Sequence, residues 1–446
     1  MNHHTDQTAV RNGSRREFLK RSASTVAGSA LAAGLSVARA AHAAGDDAIK
    51  IALIGCGGRG TGAAIEALSN KATGNVKLVA MADAFKDRVD DSLQRIQAHL
   101  KDPARVDVPE ERKFAGFDCH EKAIHSGVDM VLLCTPPGFR PMQFEAAVKA
   151  SKHVFMEKPV AVDAPGVRKV LAANEEAKKK GLAVAVGLNI RHTDGFREVV
   201  SRVRDGILGR LLFLRCYCNN AGVWVRPREP GQTEMEYQMR NWYYFNWLCG
   251  DHIVEQNVHL LDLVNWMKGD HPVEANGMGG RQVRKGKDHG ETFDHHAVEF
   301  TYADGTKMFS FSRHIPGCWN HGGGYAHGTQ GFANAGGGQF SIQLKGKDPT
   351  TWEHGEGGHQ VEHDDLFAAL LAGEPYNEGD YGAVATMTSI LGRMATYSGK
   401  VVTWDEGIRS DQDLSPARYA WDAEPPVLPG EDGFYPCAMP GVTKAW

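Results

Sequence analysis

Cysteine is sparse in this chain of 446 residues: there are eight, at positions 56, 119, 134, 216, 218, 249, 318 and 437. Scattered so widely they make no disulfide framework, and no pair has metal-knuckle spacing. The closest two, Cys216 and Cys218, fall on one face of a strand and read as packing. Excess charge is also lacking. A formal net charge of -4 argues against nucleic acid or a membrane surface as a partner. Beyond residue 44 no apolar run is long enough to cross a bilayer, and no internal repeat is visible. Hydrophobic residues at 42% and charged residues at 23% are ordinary for a globular protein. The length allows two domains with a sizeable core.

Glycine is plentiful, with 51 residues, and so is arginine near the start. Arg15 and Arg16 lie in Ser-Arg-Arg-Glu-Phe-Leu-Lys (14–20), ahead of an alanine-rich run ending in Ala-Arg-Ala and Ala-His-Ala. The pattern resembles a twin-arginine signal peptide over residues 1–43, cleaved near Ala41–Ala44. A basic amphipathic helix is the alternative. The signal implies a periplasmic or secreted protein, exported already folded by the twin-arginine machinery. Folding in a reducing cytosol would not rely on disulfides.

Residues 46–168 alternate strand and helix patterns, with apolar runs at 49–54, 76–82, 128–134 and 153–156, and a helix at 166–181. That texture predicts βαβ units on a parallel sheet, an α/β Rossmann domain. Residues 169–400 differ. Strand patterns at 211–218, 297–302, 307–313 and 339–344, with Asp304-Gly305 as a hairpin turn, predict an α+β domain with an open-faced, mainly antiparallel sheet. A helical, aromatic-rich stretch fills 236–268, and late helices at 364–371 and 383–398 return to the first domain. Residues 401–446 read as an irregular tail. The glycine- and histidine-rich run 318–338 predicts neither helix nor good strand; it reads as a loop over the site or an exchanged arm.

Gly55-Cys56-Gly57-Gly58-Arg59-Gly60 fits G-x-G-x-x-G. A strand precedes it, a helix follows, and Asp83 closes the next strand. Gly55, Gly57, Gly58 and Gly60 let the backbone approach a pyrophosphate, and the helix N-terminus supplies N–H donors. Asp83 suits a ribose hydroxyl pair and favours NAD. Arg59, Lys86 and Arg88 leave NADP open.

Three blocks carry a wider likeness: the glycine loop, Thr135-Pro136-Pro137, and Glu157-Lys158-Pro159. With them the mature chain resembles the Gfo/Idh/MocA family of sugar and inositol oxidoreductases. The resemblance implies cofactor contacts from Gly55, Gly57, Gly58, Arg59, Gly60, Asp83, Thr135, Pro136, Glu157 and Lys158. It makes Lys158 a catalytic group beside the nicotinamide, where an ammonium stabilises developing negative charge. It puts the family histidine at His259 and its acidic partner at Glu255, both catalytic. Helical spacing then predicts Glu255, His259 and Asp262 on one face, so that a carboxylate orients the imidazole. Substrate-contact candidates are Arg191, Trp242, Tyr244, Asn246, Asp251 and His252, since aromatic faces mixed with hydrogen-bonding groups suit a sugar. No metal is expected, although Asp251, His252, Glu255 and His259 form an alternative ligand set.

Little free NAD exists outside the cytoplasm. An exported member would therefore carry its cofactor tightly bound and regenerate it within the site. Three readings follow: an NAD(P)-dependent oxidoreductase on a sugar or polyol with an internally recycled cofactor; an NAD-dependent glycosidase working by oxidation, elimination, hydration and reduction; and a non-catalytic sugar or nucleotide binder. A homodimer or homotetramer is the expected assembly.

Overall fold

The computed structural model describes residues 48–446; the signal sequence expected at 1–43 lies outside the described residues. Among the described residues, fifteen strands form two sheets. The first is built from β1 (Ile49–Ile54), β2 (Val76–Asp83), β3 (Lys113–Ala115), β4 (Met130–Leu133), β5 (His153–Met156) and β6 (Val184–Val186). Its order is β3-β2-β1-β4-β5-β6, with every neighbour parallel. This is the doubly wound nucleotide-binding arrangement, in which the strand order reverses between β1 and β4. β1, β4, β5 and β6 are buried on both faces except at Lys50 and His153, as parallel strands covered by helices must be. The sheet runs past residue 168 to Val186, because β6 adds to β5 after the intervening helix Ala164–Lys179.

The second sheet holds β7 (Leu211–Asn220), β8 (Pro272–Gly280), β9 (His295–Tyr302), β10 (Lys307–His314), β11 (His321–Gly328), β12 (Gly331–Gly336), β13 (Gln339–Leu344), β14 (Thr350–Trp352) and β15 (Val402–Thr403). The order is β14-β13-β12-β11-β7-β10-β9-β8-β15. Only β7 and β10 run parallel. β9 and β10 alternate buried and accessible residues along their length, the period expected of a sheet with one packed face. Asp304-Gly305 turns their hairpin, with Gly305 at φ +81°. Cys216 and Cys218 point to the buried side, and all eight cysteines are free.

Two sequence expectations need correction. The glycine-rich run is no loop: it supplies β11 and β12, in the interior of the second sheet. The glycines are there for close approach. A Cβ on Gly324 would lie 2.9 Å from the Leu263 side chain of the helix Val258–Lys268, and one on Gly323 would lie 2.3 Å from the Gly336 backbone. Hydrogen bonding on both sides, to β7 and between the pair, compensates for weak strand propensity. The tail is not wholly irregular either: β15 pairs with β8, and Thr403 caps a helix Trp404–Arg409 through a reciprocal bond with Glu406.

Candidate functional site

β1, β4 and β5 are parallel neighbours, so the segments leaving them emerge at one carboxyl edge of the sheet. The glycine loop follows β1, Thr135-Pro136 follows β4 and Glu157-Lys158-Pro159 follows β5. The edge lies at the point where strand order reverses, where open α/β sheets bind ligands.

Within the loop the glycines divide by role. Gly55, at φ +99°, passes so close to β4 that a Cβ would lie 2.4 Å from the Thr135 nitrogen; a Cβ on Gly60 would lie 1.9 Å from the Gly55 oxygen. These two pack the turn. Nothing lies within 4 Å of a Cβ on Gly57 or Gly58. Gly57 caps the helix Gly58–Leu68 without any side-chain bond, and that helix has no acidic residue in its first turn. A dinucleotide fits this arrangement: open space in front of unsatisfied N–H groups at the positive end of a helix. Asp83 closes β2. Its carboxylate accepts from the Cys56 N–H at 2.7 Å and the Phe85 N–H at 3.0 Å, which ties it to the loop. Burial raises its carboxyl, against those two N–H groups. Thr135 donates to Gln143 at 2.6 Å and its carbonyl accepts from Arg140.

Arg59 is drawn away from the loop. Its guanidinium bonds Glu157 at 2.6 Å and also Glu66. Glu157 is therefore an ion-pair partner behind the site, and Lys158 projects forward. The Lys158 ammonium donates to the Glu255 carbonyl at 2.6 Å and to Glu255 Oε1 at 3.0 Å, with both side chains nearly out of water. That contact joins the two domains. A second lies beside it: a Cβ on Gly138 would stand 2.0 Å from the Trp247 oxygen.

The expected shared helix face is corrected. A helix His252–Glu255 ends, and a new one, Val258–Lys268, begins after two intervening residues. Asn257, wholly buried, bonds Ser310 of β10 and fixes the break. Glu255 consequently goes to Lys158 and Asp262 goes to Arg191, in a two-pronged pair at 2.8 Å. Neither carboxylate orients His259. Its Nδ1 is buried and has no hydrogen-bond partner. Burial above all, then Lys158, His359 and Arg59, push its pKa well below the ordinary imidazole value. His259 thus lies near Lys158 as a neutral base.

Two of the expected substrate contacts, Asp251 and His252, are out of reach of a substrate, and the other four stand as follows. Asp251 and His252 are 0% exposed. Asp251, at φ +72°, takes N–H donors from His252 and Phe293 and the Tyr397 hydroxyl. It organises the scaffold, and burial pushes His252 down to about 4. The other alternative metal ligands also part company, Glu255 to Lys158 and His259 to its own helix. His296 stands beside Asp251 and His252 instead, but the Asp251 oxygens are already engaged. Arg191 is held by Asp262 beneath the Tyr381 ring at 3.8 Å. Tyr244 donates to the Val223 carbonyl, and Asn246 bonds Tyr397. Trp242 alone of the six stays part-exposed without a polar tether, its ring 5.9 Å from Trp224.

Three residues escaped the sequence-based selection. The Tyr243 hydroxyl is buried without a partner, as is Glu255 Oε2, and burial, then Glu255, raise the phenol's pKa well above its usual value. Tyr243 stood in the aromatic stretch but nothing in the pattern separated it from Tyr244. Glu362 and His363 lie behind Arg59. Their signal was the order His-x-x-Glu-His at 359–363.

Comparison with known proteins agrees with this arrangement. A family model described as an oxidoreductase family with an NAD-binding Rossmann fold matches residues 49–188, and the model of the GFO/IDH/MocA C-terminal domain matches residues 196–333. The chain belongs to the Gfo/Idh/MocA oxidoreductase family. It is 27% identical over 191 residues to a myo-inositol 2-dehydrogenase of Thermotoga maritima, covering 42% of this chain and 48% of that protein. The chain thus spans about half the length of the curated relatives it matches. In fold it is similar to an aldose–aldose oxidoreductase from Caulobacter crescentus complexed with glycerol, at 19% identity and TM-score 0.61, covering 80% of this chain and 99% of the other. It is also similar to a levoglucosan dehydrogenase in complex with NADH and L-sorbose, at 15% identity and TM-score 0.64, with the same coverage.

Proposed function

We propose that this protein is an NAD-dependent oxidoreductase that acts on a sugar or sugar-like polyol. The observation that carries the reading is the Lys158–Glu255 contact at the carboxyl edge of the first sheet, beside a neutral and unpartnered His259. NAD would supply the hydride acceptor. Gly57, Gly58 and the helix start behind them would hold its pyrophosphate, and Asp83 its ribose. Arg59 is committed to Glu66 and Glu157, and Lys86 to Glu110 and Asp90; Arg88, near Asp83, is the cation left for a 2′-phosphate, and the Asp83 carboxylate favours NAD over NADP. Lys158 would hold the reacting hydroxyl and stabilise negative charge building on its oxygen. His259 would take the hydroxyl proton as the carbon gives up its hydride. Glu255 positions the Lys158 ammonium. Trp242 is the contact proposed for the sugar, with the buried Tyr243 phenol facing Glu255 behind it. The relatives named above, with their inositol, aldose and levoglucosan substrates, support a polyhydroxylated substrate. The twin-arginine pattern supports export to the periplasm or beyond, with cofactor bound before export and recycled between two sugar substrates.

The test is to purify the protein without added cofactor, denature it and identify any released nucleotide by mass spectrometry. Stoichiometric NAD that sugars reduce in place is the expected result. Lys158→Ala is expected to keep the nucleotide and lose its reduction by ~100-fold or more. An empty site that refuses added NAD, or normal reduction in the variant, would overturn the reading. Hydrolysis of aryl glycosides without added cofactor would replace it with the glycosidase cycle.

A further inference from the structure

The helix Gly358–Ala372 opens with His359-Gln360-Val361-Glu362-His363. Positions i, i+3 and i+4 share a helix face, and the order His-x-x-Glu-His builds zinc sites on helices of other folds. Here the face is turned inward. His363 is 0% exposed and Glu362 1%. Glu362 Oε1 and Oε2 and His363 Nδ1 and Nε2 are all buried without a hydrogen-bond partner. Buried polar atoms are normally satisfied, so four such atoms on adjacent residues imply a missing ligand.

Glu66, on the helix Gly58–Leu68, completes the group; Arg59 bonds both of its oxygens and would give up Oε2 to an ion. Its Oε2 is 3.8 Å from His363 Nε2, and His359 Nδ1 is 3.6 Å from Glu362 Oε1. Glu66, Glu362 and His363 each bring one ligand atom to within 4.8 Å of the others. Two ligands at ~2.0–2.2 Å from a tetrahedral ion stand ~3.3–3.6 Å apart, so closure needs only small side-chain movements. Glu157 also faces Glu362, and Arg59, His192 and His359 are the cations nearest the pair.

We propose that Glu66, Glu362 and His363, with His359 on the open side, bind one divalent transition-metal ion of the zinc type. The mixed imidazole and carboxylate donor set suits such an ion. The ion would tie the late helix to the first helix of the dinucleotide-binding domain, behind the Arg59–Glu157 pair. The proposal does not depend on the redox reading, because metal binding is read without any cofactor, although His359 also faces Lys158 and His259.

The test uses the full chain, stripped with a chelator, assayed for metal by mass spectrometry and titrated with zinc by calorimetry. One zinc per chain, a higher Tm on binding, and at least a tenfold loss of affinity in Glu362→Gln and His363→Gln would support the site. Should either variant fail to fold, Glu66→Gln and His359→Ala, both at less buried positions, carry the same expectation. Stripped protein that takes up neither zinc, cobalt, nickel nor manganese would overturn the proposal. So would wild-type affinity in the folded variants. Zinc uptake lost only with His296→Gln would assign the ion to the Asp251 cluster and overturn it equally.

Discussion

At the scale of single residues, Lys158 and Glu255 define the candidate chemistry. A buried ammonium loses hydration, and the Glu255 carbonyl and carboxylate replace it. Glu255→Gln keeps the shape and removes the charge. It should cost about 1.5–3 kcal/mol in urea unfolding, the range for a hydrogen bond to a charged group, and should lower kcat more than it raises KM. His259 yields a pH prediction with a defined sign. Its pKa is depressed by burial first and by Lys158 next, so the base stays unprotonated until the pH falls below the ordinary imidazole value of ~6.5. The acid limb of kcat/KM should therefore lie below that value. A limb at or above it in the pH profile would give the base role to another group.

At the scale of elements, the glycine loop and the late helices carry the predictions. Gly58 faces open space, while a Cβ on Gly60 would strike the Gly55 oxygen. Gly58→Ala should leave thermal stability unchanged or slightly higher, since alanine gains up to ~1 kcal/mol of helix propensity, yet weaken nucleotide binding measured by calorimetry. Gly60→Ala should destabilise by ~1–3 kcal/mol or more, because backbone cannot yield as a side chain does. His192 joins the 3-10 turn Asn189–His192 to two later helices, bonding Asp365 at 2.8 Å and Glu378 at 3.1 Å. Burial opposes its charge, but those two acids hold its pKa up to about 9. A raised folded-state pKa gives stability that is complete below ~6.5 and lost as the pH rises through about 9. Melting temperature should fall across that window in the native protein and stay flatter in His192→Asn.

At the scale of the whole molecule, the second sheet presents one packed and one open face. Phe311 and Phe332 are large and exposed on the open side, and Trp319 is exposed on the turn beside it, an apolar concentration typical of an interaction surface. A homodimer or homotetramer formed through this sheet is the proposed assembly. Light scattering should give two or four chains per particle, and a Phe311→Asp/Phe332→Asp double variant should shift the mass toward one chain.

The sequence determined what local chemistry governs. Periodicity and turn residues located β1, β5, β13 and the β9–β10 hairpin, because strand alternation and an Asp-Gly turn act over a few neighbours. The glycine loop and Glu157-Lys158-Pro159 were readable because their residue types are set by backbone approach and by charge. Tertiary structure decided the rest. Helical spacing put Glu255, His259 and Asp262 together, but the burial of Asn257 against Ser310 broke the helix and sent each acid to a distant cation. Glycine content argued against strands at 321–336, but a helix pressed onto that sheet leaves no room for side chains there. The inward face of Glu362 and His363 arises only when the late helix docks on Glu66, a contact between residues some three hundred positions apart in the chain.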